Sequence, residues 1–245
     1  MTDDIQRLRA LIDEARSVVF FGGAGVSTES GVPDFRSKDG LYNRRDVRFE
    51  NYAPEYLLSH ECLVREPKVF FEYYRQKMDA RRVRPNAAHT TLARLEREGK
   101  LTAVVTQNID GLHQRAGSRR VYELHGSTAR NYCMSCGRVH DPDFVFDSPD
   151  PIPRCACGGV VRCDVTLYGE SLPEEAVTGA VSAIAAADLL IIGGTSLTVW
   201  PAASFVRAFR GEHVVVVNRD PLPYPLDSDR DLMIQRPIAE VFSEL

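Results

Sequence analysis

The sequence predicts an α/β fold: a parallel sheet covered by helices on both faces, with a smaller lobe inserted into it. Three observations carry this reading. Apolar runs at 18–21, 101–105, 189–192 and 214–217 are continuous rather than alternating, as in strands buried on both faces. Helical patterns lie between these runs. Each run also ends in a cluster of small or polar residues. The chain has 245 residues, enough to bury a substantial core without staples.

The elements follow in order. Ile5, Leu8, Leu11, Ile12 and Ala15 recur at helical spacing and lead into the strand at 18–21. A helix at 92–98, stopped by Gly99, precedes the strand at 101–105. A short strand is expected at 121–124. An Ala-rich helix at 174–187 follows Pro173 and leads to the strand at 189–192. A helix at 202–209, stopped near Gly211, precedes the strand at 214–217. Two stretches break the alternation: the aromatic-rich segment 37–88, and 130–162, which holds four of the six cysteines. Both are expected in the smaller lobe. The Asp-Pro and Ser-Pro steps of 141–153 predict a loop.

Composition narrows the functional classes. Apolar residues are 44% and charged residues 26%, which excludes disordered and fibrous chains. A net charge of −4 argues against direct nucleic-acid binding. With an acidic start and no apolar run near the ~20 residues that span a bilayer, the expectation is a cytoplasmic protein without membrane contact.

In a parallel sheet the carboxyl ends of the strands share one edge, where ligands bind. The clusters on that edge are residues 22–25, 107–110, His125, 193–196 and Asn218. Backbone N–H groups at Gly23-Ala24-Gly25 can cradle a pyrophosphate. The hydride-transfer fingerprint is incomplete, because Thr28 stands where a third glycine belongs and no strand ends in an acid about 20 residues on. Position alone suits His125 equally to a general base and to a packed histidine. Cys133-x2-Cys136 and Cys155-x-Cys157 resemble a zinc ribbon, and four thiolates make a closed, structural site. The second pair is one residue short, which leaves Cys163 as a possible substitute ligand.

Together the motifs resemble the sirtuin family of NAD-dependent protein deacylases. They are Gly23-Ala24-Gly25-Val26-Ser27, residues 30–37, residues 106–113 (Thr106-Gln107-Asn108-Ile109-Asp110-Gly111-Leu112-His113), Glu123-Leu124-His125-Gly126, Tyr168-Gly169-Glu170, Gly194-Thr195-Ser196-Leu197 and Asn218. The resemblance implies a Rossmann-like doubly wound domain at 1–36, 86–130 and 163–245. It implies a small lobe made of a helical module at 37–85 and a zinc-ribbon module at 131–162. The implied cofactors are NAD, consumed as a co-substrate, and one structural Zn2+ held by Cys133, Cys136, Cys155 and Cys157.

The resemblance also implies residue roles. Ala24 and Thr28 face the dinucleotide; Phe35 shields the reacting carbon and Arg36 holds the cofactor. Gln107, Ile109 and Asp110 form the nicotinamide pocket, and Asn108 orients water and ribose hydroxyls. Thr195, Ser196 and Asn218 hold phosphate and ribose, Ile238 lies against the adenine, and His125 is the general base. Acetyl-lysine peptides would bind in extended form along 165–169, as an added strand. The implied products are free lysine, nicotinamide and O-acyl-ADP-ribose. Two other readings use the same features: ADP-ribosyl transfer or NAD hydrolysis at this site, and a zinc-ribbon regulator that binds without turnover.

Overall fold

The computed structural model describes residues 3–35, 40–43, 46–222 and 224–245. Helix α1 (Asp3–Glu14) buries Ile5, Leu8, Leu11 and Ile12 on one face, as the helical period predicts. Strand β1 (Val18–Gly22) is buried at every residue. The chain then leaves the sheet for α2 (Pro54–Leu57), α3 (His60–Arg65) and α4 (Pro67–Lys77). It returns through α5 (Ala87–Arg97), capped by the Asn86 side chain, to β2 (Leu101–Thr106). Next come α6 (Leu112–Ala116) and β3 (Val121–Glu123).

The second excursion holds β4 (Gly126–Cys133), β5 (Val139–His140), α7 (Pro142–Phe146) and β6 (Val161–Val165). The chain finishes with α8 (Glu174–Ala186), β7 (Leu189–Gly193), β8 (His213–Val217), β9 (Leu232–Ile234) and α9 (Ile238–Ser243).

The large sheet runs β3-β2-β1-β7-β8-β9, with every pairing parallel. Successive side chains of β1 go to opposite faces. Val18 and Phe20 join α1, α5 and α9 in one core, while Val19 and Phe21 join α8 and the 202–208 turn in the other. The strand order reverses between β1 and β7, so their carboxyl ends open a crevice.

The small sheet, β5-β4-β6, is antiparallel. One apolar cluster joins it to α2, α3, α4 and α7, with Phe70, Phe71, Tyr74 and Phe146 among its members. Among the described residues no helix is long and apolar enough to cross a membrane.

Two elements differ from expectation. Ala202–Ala208 is a 3₁₀ helix, not an α-helix; its seven residues are confined between Pro201 and the turn at Gly211. The segment expected as a loop contains α7. Pro142 presets the first helical turn, and Val145 and Phe146 are buried in the small-lobe core.

Candidate active site

The floor of the crevice is backbone set against backbone. The Gly25 N–H donates to the Gly194 carbonyl at 2.8 Å. A Cβ on Gly25 would lie 2.8 Å from that oxygen and 2.9 Å from the Gly194 Cα. Gly194 itself has φ +58, and a Cβ there would meet the Val26 nitrogen at 2.5 Å. Glycine is therefore required at both positions. The loop from Ala24 to Ser30 winds over them in two short 3₁₀ turns.

Above this floor one hydroxyl gathers three elements. The buried Ser27 Oγ donates to Asp110 Oδ2 at 2.7 Å and accepts from Asn108 Nδ2 at 3.0 Å. His89 Nε2, at the start of α5, lies 3.4 Å away. Burial pushes His89 down to about 4, so its ring is neutral near pH 7. His89 Nδ1 faces the Asn86 side, 3.3 Å from its N–H and 3.1 Å from its Oδ1. Asp110 also accepts the Leu112 N–H at 2.9 Å, and its burial raises the carboxyl above its ordinary value. The Thr106 hydroxyl accepts the Asn108 N–H at 3.0 Å.

His125 sits between β3 and β4. Its Nδ1 donates to the Gln107 carbonyl at 2.8 Å, which makes Nε2 the lone-pair nitrogen of the neutral ring. The Gln107 amide in turn donates to Thr195 Oγ1 at 3.3 Å.

These residues meet in one cleft of ≈ 1290 Å³. Ala24, Thr28, Phe35, Gln107, Asn108, Ile109, His125, Thr195, Ser196, Asn218 and Ile238 all line it. Asp110 stands behind the wall, held by Ser27 and Leu112. Arg36 lies outside the described residues. Phe35 packs edge-on to Tyr42, with ring centroids 5.5 Å apart. A glycine floor and polar strand ends around a cleft of this size fit a dinucleotide.

The opposite wall runs along residues 165–172. Its backbone is already well bonded. The Thr166 N–H donates to His125 O at 2.9 Å, Leu167 N–H to Glu170 Oε2 at 2.9 Å, and Tyr168 N–H to Leu58 O at 3.0 Å. The buried Arg162 fastens this turn by donating to both Glu170 carboxylate oxygens and to the Val165 carbonyl. Burial alone would raise Glu170, but Arg162, the Leu167 N–H and His60 outweigh it and hold the carboxyl at about 2.

In the small lobe, Cys133, Cys136, Cys155 and Cys157 bring their sulfurs within 4.8 Å of one another. Cys133 and Cys157 are 3.5 Å apart, and Cys136 and Cys155 are 3.8 Å apart. Zn–S bonds of about 2.3 Å in a tetrahedron give sulfur–sulfur edges of about 3.8 Å, so the four residues fit zinc. Cys163 is not in the cluster; it is fully buried on β6, against Tyr74.

Motif reading assigned no role to Ser27, Leu58 or Tyr74, which the fold brings to or behind the cleft. Ser27 alone had a sequence cue, two residues past the glycine turn.

Such a cleft, with a glycine-floored crevice facing a lobe that carries four thiols in zinc geometry, fits the class of two-lobed enzymes that bind a nucleotide. Residues 23–201 match the Sir2 family, and the chain belongs to that family. An NAD-dependent protein deacetylase of Clostridium acetobutylicum is 50% identical over 242 residues, covering 98% of this chain and 97% of its own. One of Cutibacterium acnes is 52% identical over 239 residues, covering 97% and 96%. A solved Sir2 structure with a deacetylated p53 peptide and 3′-O-acetyl ADP ribose is 32% identical. It covers 98% of this chain and 96% of its own, with a TM-score of 0.85.

Proposed function

We infer that this chain is an NAD-dependent protein-lysine deacetylase that releases nicotinamide and O-acetyl-ADP-ribose. The observation that carries the reading is the convergence of His125, Asn108 and the glycine floor on one cleft. NAD supplies an electrophilic ribose carbon and a leaving group. The residues divide the remaining work. Ala24, Thr28, Thr195, Ser196, Asn218 and Ile238 hold the nucleotide. Gln107 and Ile109 line the nicotinamide pocket with Asp110 behind them, Phe35 shields the reacting carbon, and Arg36 is assigned to holding the cofactor. Asn108, fixed by Ser27, orients hydroxyls. The His125 Nε2 accepts a ribose hydroxyl proton while the Gln107 carbonyl holds Nδ1–H. Cys133, Cys136, Cys155 and Cys157 bind one structural zinc.

The division into a Rossmann-like domain at 1–36, 86–130 and 163–245 and modules at 37–85 and 131–162 puts this cleft between the lobes. An extended acetyl-lysine peptide would lie along 165–169, pairing through backbone groups other than the N–H groups of Thr166, Leu167, Tyr168 and Glu170, which are engaged. The acidic net charge supports a cytoplasmic enzyme without nucleic-acid or membrane partners.

The acyl group accepted is small and neutral. Arg75 spends its guanidinium on the Val145 and Asp150 carbonyls, at 2.7 and 2.9 Å, and Arg162 is committed to Glu170. Neither lines the cleft. Among the described residues Arg219 is the one arginine that lines the cleft, next to Asn218, so a carboxylate at the end of an acyl chain lying between Leu58, Val165 and Leu167 would find no charged partner in that part of the described lining.

Incubation with NAD and matched acetyl and succinyl peptides tests the reading. Nicotinamide should appear in step with deacetylated peptide, and kcat/KM should favour acetyl by at least about a hundredfold, as an unpaired buried charge requires. Nicotinamide without a change in the peptide would instead mean NAD hydrolysis or ADP-ribosyl transfer. No nicotinamide at all would mean a binding module.

A further inference from the structure

Outside the cleft the molecule carries its charge unevenly. Residues 81–98 and 115–120 hold eight arginines and two glutamates, a surplus of six positive charges in a chain whose net charge is −4. The remainder of the molecule is correspondingly acidic.

The fold brings the two segments together. Arg115 donates to the Ala80 and Arg81 carbonyls at 3.1 and 2.9 Å, on the stretch that leads into α5. Gly117 lies against Ala93 of α5. The Glu96 carboxylate, in the last turn of that helix, accepts the N–H groups of Arg119 and Arg120 at 2.8 and 2.9 Å. One basic edge thus joins 81–84, 115–120 and the end of α5. Arg84, Arg97, Arg115, Arg119 and Arg120 are all exposed on it. Among the described residues Arg84, Arg97, Arg119 and Arg120 have no ion-pair partner. Arg115 spends its N–H groups on carbonyls, which leaves its charge uncancelled.

Guanidinium groups held side by side without counter-charges suit a ligand with several anionic groups, and each fork matches a carboxylate in a bidentate pair. Two observations select a protein segment over a nucleic acid. Carboxylates close the edge at both ends: Asp79, Asp143 and Asp147 surround Arg81 at 2.6–2.8 Å, and Glu98 holds Arg94 at 2.9 Å. A long polyanion would run onto these groups and the acidic surface beyond, whereas a short segment would not. Neither stretch contains Phe, Tyr or Trp, so the edge offers no platform for stacked bases.

We propose that this arginine edge is a docking surface for an acidic segment of a partner protein. None of its arginines lines the cleft, so the proposal stands apart from the deacetylase reading.

The test measures fluorescence anisotropy with a labelled hexaglutamate peptide and a hexaglutamine control. Wild type is compared with the triple variant Arg84→Gln, Arg119→Gln, Arg120→Gln, whose backbone bonds to Glu96 are unaffected. At low salt the wild type should bind the glutamate peptide and ignore the glutamine one. The variant should bind about tenfold more weakly, as the loss of three exposed ion pairs requires. Raising the ionic strength to about 0.15 M should weaken the wild type more than the variant. Turnover of a short acetyl-lysine peptide should be the same in both proteins, which separates a lost docking surface from a damaged fold.

Equal binding of the glutamate peptide by wild type and variant, or none by the wild type, overturns the proposal. So does a short DNA duplex that binds more tightly than the glutamate peptide and depends on the same arginines. Self-association of the wild type in sedimentation, lost in the variant, would assign the edge to a second copy of the chain and equally overturn it. Failure to deacetylate would count against the deacetylase reading and leave the peptide binding to be judged alone.

Discussion

The two walls of the cleft are made of different material. On the sheet side the shape is backbone: Gly25 and Gly194 touch main chain to main chain, and the strands beneath them are buried throughout. On the small-lobe side it is side chain: Leu58, Tyr74, Val165 and Leu167 project from a core whose sheet is stapled by four thiols. A backbone wall tolerates almost no substitution, whereas a side-chain wall can be changed one residue at a time. On the function proposed above, the nucleotide would lie against the wall that substitution can least alter, and the acyl group against the wall that can be altered residue by residue.

Four sets of experiments probe that contrast. His125→Ala, at the seam between the walls, should lower deacetylation by about 100- to 10,000-fold, the usual cost of losing a general base. NAD affinity, measured by calorimetry, should be nearly unchanged. A variant keeping more than a tenth of wild-type turnover would reject His125 as the base.

Gly25→Ala strikes the backbone wall. The new methyl would press on the Gly194 carbonyl at 2.8 Å, and only a shift of the strand ends can relieve it. KM for NAD should rise about ten- to a hundredfold, with little change in KM for the peptide. Equal effects on both would show that the walls are not independent.

Cys155→Ser strikes the other side. Metal content should fall from one zinc per chain, and a separate early melting transition should report loss of the small lobe. Cys163→Ser should keep its metal. The opposite result would put Cys163 in the ligand set.

The smallest effect is on acid stability. Burial depresses His89 to about 4 and His113 to about 3, against 6.5 when unfolded. Both are neutral above pH 6.5, so nothing is lost there. As the pH falls from 6.5 towards 4 the unfolded chain takes up protons that the folded one refuses, and stability drops by a few kcal/mol. Zinc release adds to this decline, so the informative quantity is a difference. His113→Phe should show a shallower loss of urea midpoint between pH 7 and pH 5 than the wild type.

The sheet side was the more legible in the sequence because its determinants are local. Apolar runs that end in Gly22-Gly23, in Gln107-Asn108 or in Gly193-Gly194 carry their meaning within a few residues. The cysteine pairs are legible for the same reason. The Ser27 network was not, because it joins residues 62 to 83 positions apart, and only the packed fold shows that one hydroxyl serves Asn108, Asp110 and His89. Nor was the place of Tyr74 in the cleft wall, since α4 shows an apolar face and only the packed neighbours decide which of its residues meet the cleft. Helix α7 was hidden by the Asp-Pro steps that read as a loop, because Val145 and Phe146 gain their burial only from distant helices.

The place of His125 in the chain has one more consequence. It stands between the last residue of β3 in the large sheet and the first of β4 in the small one, with Gly126 following at φ +71. The chain crosses there from one lobe to the other. Both walls are tied to this residue: the Gln107 carbonyl on the large-sheet side accepts from its Nδ1, and its own carbonyl accepts the Thr166 N–H of the opposite wall. His125 is thus a rivet through the two walls, clinched by side chain on one and by main chain on the other.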